Sequence, residues 1–403
     1  VKLMVQVRLL PTSEQASALR STLHVCNVQA NEVSRTAFER GVFRNHDLRK
    51  LTYRSVRDAG LGSQAAQHVI KKVADAYGTL RAGIRAGNFG RPGSRRRIKA
   101  ESKPITFRPD AAQPFDRRNM SLALDAGTLS LWTLNGRLKG VPFACSTSAR
   151  RTLAECRHGE SDLLCRDGKW LLLVTVEVAE QPLNEEPDGF IGVDLGIANI
   201  ATTSTGYRAA GRESSRHRAR QARLRRRLQA KGTKSAKRVL KRQRRREQRR
   251  ARDVNHCVSK RIVAEAERTG RGIALEDLTG IRDRVRHRRP QRAAFHSWAF
   301  HQLGNFITYK ARRAGVPVVF VDPAHTSRTC ADCGHRERAD RVDQALFICR
   351  GCGVVAHADR NASRNIARKG EVAWDAGRRS SAPAPPRGGV GWTRRATRQP
   401  VGP

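Results

Sequence analysis

The chain has 403 residues, 79 of them Lys or Arg against 36 Asp or Glu, for a formal charge of +43. That length allows two or three domains with a sizeable core. The excess positive charge opposes compaction unless a polyanion screens it, so a neutral ligand is excluded as the main partner and a long nucleic acid is expected.

Residues 2–10 alternate basic or polar with apolar side chains, the period of a half-buried strand. Pro11-Thr12-Ser13-Glu14-Gln15 supplies cap signals for a helix carrying Ala16, Leu19 and Leu23, and residues 64–80 repeat the helical pattern. The Gly- and Arg-rich stretch 83–97 reads as a flexible basic loop able to follow a phosphate backbone. Short strand-like runs at 105–107, 121–124, 128–134 and 170–178 are separated by Gly, Asn-Gly and Asp-Gly turns, which suggests a small β-barrel or curled sheet. The first strand is expected to pair with these later ones, making the intervening helices an insertion.

Residues 181–187 mark a linker. Beyond it, Phe190-Ile191-Gly192-Val193-Asp194 is an apolar strand interrupted by one carboxylate, followed by a second strand at 199–204. A buried charge there is costly unless it is paired or holds a cation. Gly272-Ile273-Ala274-Leu275-Glu276 repeats the design, and Asp359 opens a helix through Ala362, Ile366 and Ala367. Three carboxylates on two strands and a helix can meet at the strand ends of one sheet, which is what two Mg2+ or Mn2+ ions require for phosphodiester hydrolysis. Asp277 is the alternative at the second position. Asp322 and Asp332 read as structural or facing nucleic acid, and Asp188 as part of a turn.

Between the first two acids, residues 216–252 hold nineteen Lys or Arg against one acid, Glu247, with Leu224, Leu228, Val239 and Leu240 at helical intervals. This predicts a helical hairpin broken near Gly232 and laid against a phosphate-lined duplex. Its nucleic-acid-binding candidates are Arg223, Arg225, Arg226, Arg227, Lys234, Lys237, Arg238, Lys241, Arg242, Arg244, Arg245 and Arg246. Few aromatics interleave, which favours backbone tracking over base stacking. A further helix is expected at 255–268. Another, packed through Phe295, Phe300, Leu303, Phe306 and Ile307, makes His296 and His301 packing or capping residues, and a buried strand follows at 316–321.

Cys330-x2-Cys333 and Cys349-x2-Cys352 stand fifteen residues apart, each pair followed by a glycine. Two such knuckles can converge four sulfurs on one Zn2+, a closed and therefore structural site. Cys26, Cys145, Cys156, Cys165 and Cys257 lack ligand spacing and read as core residues. With no run of eighteen apolar residues and no secretory signal, the expectation is a soluble intracellular protein; Val1 fits a non-ATG start or a trimmed end.

Gly192-Val193-Asp194-Leu195-Gly196, Ile273-Ala274-Leu275-Glu276-Asp277-Leu278, Val321-Asp322-Pro323 with Thr326-Ser327 ahead of Cys330, the four-cysteine pattern, and His357-Ala358-Asp359-Arg360-Asn361-Ala362 with Asn365-Ile366 resemble the motifs of the TnpB (OrfB) proteins of insertion sequences, relatives of the type V CRISPR effectors. The resemblance extends over most of the chain, including the Lys2-Leu3 strand and the Leu10-Pro11-Thr12 turn.

It implies a multidomain fold of the α+β and α/β classes. An RNase H-like RuvC nuclease domain would span 188–329 and 353–369 with Asp194, Glu276 and Asp359 as its acids, with a zinc module for target nucleic acid at 330–352. A β-barrel wedge domain at 1–10 and 98–181 would carry a helical recognition domain at 11–97, and residues 370–403 fall outside the resemblance as a disordered tail. The function implied is that of an RNA-guided, divalent-metal-dependent DNA endonuclease encoded by a transposable element. A guide RNA from the transposon end would pair with a double-stranded DNA target while the protein reads a short flanking motif. The expected cofactors are structural Zn2+, catalytic Mg2+ or Mn2+ and the guide RNA, and no membrane partner is expected. The expected location is the bacterial cytoplasm, with nucleoid association when bound to DNA. A DNA transposase or strand transferase, and a non-catalytic nucleic-acid-binding regulator, are the alternative classes.

Overall fold

A computed structural model describes residues 1–278 and 300–379, apart from the side chains of residues 300, 378 and 379. It separates into two units, Val1–Ala179 and Glu180–Pro403, with the division next to the linker predicted at 181–187.

In the first unit, β1 (Lys2–Leu9) sends Val5, Val7 and Leu9 inward and Lys2, Gln6 and Arg8 outward, as its alternation predicts. It is followed by α1 (Ser13–Arg40), α2 (Asn45–Asp58), α3 (Ser63–Arg85) and α4 (Arg95–Glu101). The strands β2 (Gln113–Phe115), β3 (Met120–Ala123), β4 (Thr128–Thr133) and β5 (Gly136–Ala144) come next, then α5 (Thr147–Glu155), β6 (Arg157–Arg166) and β7 (Lys169–Glu177). All seven strands form one antiparallel, near-closed sheet in the order β2-β6-β7-β1-β5-β4-β3. The first strand therefore does pair with later ones, Val5 opposite Val174 and Val7 opposite Leu172. Its inward residues share a core with Leu131, Phe143 and Leu163.

Helix α1 begins with a reciprocal cap: Thr12 Oγ1 accepts from the Gln15 backbone N–H at 3.2 Å, and Gln15 Oε1 from that of Thr12 at 3.1 Å. The run 105–107 is not a strand. Phe107 N–H donates to Asn31 Oδ1 at 2.7 Å and Ile105 N–H to the Tyr77 hydroxyl at 3.3 Å, so helix side chains satisfy the groups a ladder would have used. The basic loop predicted at 83–97 is also shorter than expected, because α3 runs to Arg85 and α4 starts under a Ser94 cap.

In the second unit the order is β8 (Phe190–Asp194), β9 (Asn199–Thr203), β10 (Arg208–Ala210), α6 (Arg212–Lys231), α7 (Lys234–Arg268) and β11 (Gly272–Glu276). Then come α8 (Phe300–Arg313), β12 (Val318–Val321), β13 (Leu346–Ile348), β14 (Val355–His357) and α9 (Ala358–Arg379). The main sheet runs β10-β9-β8-β11-β12, with β8, β11 and β12 parallel and β9 and β10 antiparallel. Both faces are covered, which explains the unbroken apolar runs. Ile191, Val193, Ile273 and Leu275 share a core with Ile262 and Ala266 of α7 and Leu303 and Ile307 of α8, while Phe190 and Ala274 share one with Ile366 of α9.

Three expectations are corrected here. Helix α7 is continuous from Lys234 to Arg268, because Arg252-Asp253-Val254 contains no residue that would break it; the turn at Gly232 is as predicted, with φ +64°. The proposed tail starts too early, since α9 runs to Arg379 and Trp374 packs on Phe190 with ring centroids 5.9 Å apart; residues 380–403 lie outside the described residues. The strand predicted at 316–321 is an edge strand with Phe320 47% exposed, not a buried one. His301 is exposed on α8, and Phe295 and His296 lie outside the described residues. Among the described residues no helix is long and apolar enough to cross a membrane.

Gly192 fixes how α9 lies on the sheet. A Cβ at this position would meet the Ser363 carbonyl oxygen at 1.9 Å and the Ala367 nitrogen at 2.4 Å, so helix backbone rests directly on strand backbone. Gly192→Ala should therefore push α9 off β8 and lower stability by roughly 1–3 kcal/mol, the range for overpacked cores. Denaturant unfolding measures this, and an unchanged midpoint would contradict the close approach.

Candidate active site

Asp194 and Glu276 end the neighbouring parallel strands β8 and β11. Because Leu275 is registered with Val193, the acids that follow them stand level at the carboxyl edge of the sheet. Asp359, the second residue of α9 and 4% exposed, is brought to the same edge by the seat of that helix on β8. Desolvation pushes the Asp194 carboxyl up to about 7, and the negative charges of Glu276 and Asp359 add to the rise. Burial also raises Glu276, against a hydrogen bond from the Thr326 hydroxyl to Oε1 at 2.6 Å.

Asp359 has its own partners. Asn199 Nδ2 donates to Oδ2 at 2.8 Å, and Arg341 Nη2 lies 3.4 Å from Oδ1. Arg341 also counters the rise at Asp194. The sequence reading assigned no role to Asn199 or Arg341, and it quoted Thr326 only as part of a motif. Asn199 opens the strand after the first acid, a visible signal, whereas Arg341 is one arginine among many. The other acids have different partners, although the charge of Asp322 adds to the rise at Glu276. Asp332 pairs in two contacts with Arg364, at 2.7 and 2.9 Å, Asp322 Oδ1 accepts from the Ala324 backbone N–H at 3.0 Å, and Asp277 is exposed. Asp188 occupies a turn, its N–H donating to the Gly270 carbonyl at 3.0 Å.

The cysteines converge as their spacing requires. Cys330 Sγ lies 3.8 Å from Cys352 Sγ and Cys333 Sγ 3.6 Å from Cys349 Sγ, and all four lie within 4.8 Å of one another, a group able to hold a metal ion. The two knuckles mirror each other, with Gly334 N–H donating to the Cys330 carbonyl and Gly353 N–H to that of Cys349. Helix α9 clamps this module. Asn361 Oδ1 accepts from the Ala331 N–H at 2.8 Å, and Asn365 Nδ2 donates to the Thr326 and Thr329 carbonyls at 2.9 and 2.6 Å.

The basic hairpin is formed by α6 and α7. Arg223, Arg226, Arg227, Lys234, Lys237, Arg238, Lys241, Arg242, Arg244 and Arg246 are exposed; Arg225 pairs with Glu247 at 2.8 Å and Arg245 is half-buried. Leu224 and Val239 are also exposed, at 38% and 37%, so the helices expected from their spacing form without burying them.

Residues 173–279 match the OrfB family model described as "Probable transposase", and residues 300–366 match the model "Cas12f1-like, TNB domain". Over these two stretches the chain is similar to the TnpB (OrfB) proteins and to the Cas12f1 group. A CRISPR-associated endodeoxyribonuclease Cas12f1 of Sulfoacidibacillus thermotolerans is 45% identical over 114 residues, 28% of this chain and 26% of that protein. The TnpB-like protein MJ0751 of Methanocaldococcus jannaschii is 35% identical over 120 residues, 30% of this chain and 42% of that protein. InsQ of Escherichia coli (strain K12), provisionally named an RNA-guided DNA endonuclease, is 25% identical over 224 residues, 51% of this chain and 55% of that protein. The chain thus spans between about a quarter and about half of the length of these curated relatives.

The raised Asp194 sets a pH dependence. Its carboxyl sits near 7 in the fold against about 4 unfolded. Without divalent metal, the stability contribution is complete below about pH 4 and is lost as pH rises through about 7. Asp194→Asn should therefore leave the chelated protein unchanged at pH 4 and stabilise it at pH 8 by on the order of 2 kcal/mol. Chemical unfolding of the two proteins across this range measures it; parallel curves would mean that the carboxyl is not held against its charge.

Proposed function

We propose that this chain is an RNA-guided, divalent-metal-dependent DNA endonuclease encoded by a transposable element, with Asp194, Glu276 and Asp359 as its acids. One observation carries the reading: the Asp194 carboxyl, pushed up to about 7 chiefly by burial, is raised further by the charges of Glu276 and Asp359, which come from a second strand end and a helix start. Such mutual repulsion is relieved by cations, and all-oxygen donors suit Mg2+ or Mn2+. The three acids do not all lie within 4.8 Å of one another, so their side chains would have to shift to share ions. Bound there, Mg2+ or Mn2+ would supply a water of lowered pKa and stabilise the leaving oxygen of a cut strand.

The chain's own groups do the positioning. Asn199 and Arg341 fix the Asp359 carboxylate, and the Thr326 hydroxyl fixes that of Glu276. Asp194, whose carboxyl is raised to about 7 in the absence of cations, gives up its proton as an ion binds.

The sheet order β10-β9-β8-β11-β12, three antiparallel strands followed by two parallel additions, supports assigning residues 188–329 and 353–369 to an RNase H-like RuvC domain. The curled sheet and the helices α1–α4 support a wedge domain with an inserted recognition domain, and the thiol cluster supports a structural zinc. A guide RNA from the transposon end, paired with target DNA, would lie on basic surfaces that include α6 and α7. Strand transfer is the second reading, favoured by the transposase description of the matched model.

The protein purified with its RNA should cut matched duplex DNA in Mg2+. Asp194→Ala, Glu276→Ala or Asp359→Ala should each reduce cutting to background while the RNA stays bound. Loss of RNA binding in these variants, or joined rather than cut DNA ends, would overturn the assignment. Changing Arg223, Arg226, Arg227 and Arg242 together to Gln should lower the slope of log affinity against log salt by roughly three if all four meet phosphates. An unchanged slope would place the hairpin away from nucleic acid.

A further inference from the structure

Between the two cysteine pairs, His335, Glu337 and Asp340 bring one ligating atom each within 4.8 Å of one another. His335 Nε2 lies 3.5 Å from Glu337 Oε2 and 3.9 Å from Asp340 Oδ2. The remaining carboxylate oxygens are engaged elsewhere: Arg350 Nη1 donates to Glu337 Oε1 at 3.1 Å, and the Arg350 backbone N–H to Asp340 Oδ1 at 3.2 Å. The oxygens nearest the imidazole are thus the ones left over. Asp340 is fully buried, at 0% exposure, yet its Oδ2 has no hydrogen-bond partner. A carboxylate oxygen shut away from water is costly unless positive charge meets it.

The imidazole is held in place. A Cβ on Gly351 would come within 2.9 Å of His335 Cγ, so the ring lies directly against the second knuckle. The side chains of His335 and Glu337 are 39% and 41% exposed, which gives an ion a way in.

We propose that His335, Glu337 and Asp340 form a second divalent-cation site, separate from the four thiols and from the acid centre, that takes zinc or a first-row metal like it. One imidazole nitrogen with two carboxylate oxygens is a donor set for such ions, and it is too poor in oxygens for calcium. Ligand atoms at about 2.0–2.2 Å from a tetrahedral ion stand roughly 3.3–3.6 Å apart, so the observed separations close with small shifts. The hydrogen bonds from Arg350 orient both carboxylates from behind. The residue after Asp340 is Arg341, which reaches Asp359, so an ion here would brace the loop from which that arginine extends. The inference stands whether or not the chain cuts DNA.

The test is metal counting on the full-length chain, equilibrated with zinc and then dialysed, beside His335→Gln and Glu337→Gln. Each variant should hold one zinc fewer than the parent, with the weaker equivalent bound at least about tenfold less tightly. In parallel cobalt titrations, the intense cobalt–thiolate absorption should be unchanged. Zinc held by the acid centre is common to all three proteins and cancels. Equal zinc content in the variants would overturn the site. Should His335→Gln fail to fold, the partly exposed Glu337→Gln decides alone.

Discussion

The second unit depends on the contact between the backbone of α9 and that of β8 at Gly192. At this separation no side chain fits between them, so the helix has one seat on the sheet. That seat fixes the height of Asp359 beside Asp194. It also aligns Asn361, Arg364 and Asn365, roughly one turn apart on the helix, with the segment that leads into the cysteine knuckles. A single close approach therefore registers the third acid and the metal-binding module together. The sheet supplies the first two acids, and the helix brings the rest.

The acid centre is an electrostatic compromise. Burial at the sheet edge raises the charging cost of Asp194 and Glu276, and at Asp194 the neighbouring acids add to it, because it has neither the hydroxyl partner of Glu276 nor the amide and guanidinium partners of Asp359. Arg341, which extends from between the cysteine pairs, offsets part of the repulsion. Cation chemistry and protein stability are linked here, since an ion that suits the centre also relieves the fold.

Much of this was legible in the sequence. The two acid-ended strands stood out because an apolar run buried on both faces tolerates a charge only for a purpose, and the knuckles stood out because thiol spacing has few other uses. The pairing of β1 with β7 followed from alternation and from the turns between the later strands. Other features were not legible because they depend on tertiary partners. Residues 105–107 look like a strand and are strapped to helices instead, and β6 was hidden by the polar half of Arg157-His158-Gly159-Glu160-Ser161. Arg341 and Asp340 gain meaning only once the chain folds the 335–341 loop beside the acids and knuckles. Leu224 and Val239 marked the hairpin helices by their spacing alone, since both side chains are exposed.

Helix α7 has two halves of different character. Its buried positions, apart from Ala236, begin at Asn255, so nearly all of the 19 residues before Asp253, about 28 Å of helix, are exposed or half-buried. Their arginines and lysines repel one another along that span, and among the described residues Arg225 is tied to Glu247 and Arg250 to Glu213. The arm is thus a cantilever anchored at one end, whose rigidity is supplied by whatever polyanion lies along it. Straightening the arm and loading the complex become a single event, so a chain without cargo should present a softer, more easily clipped projection than a chain that carries one.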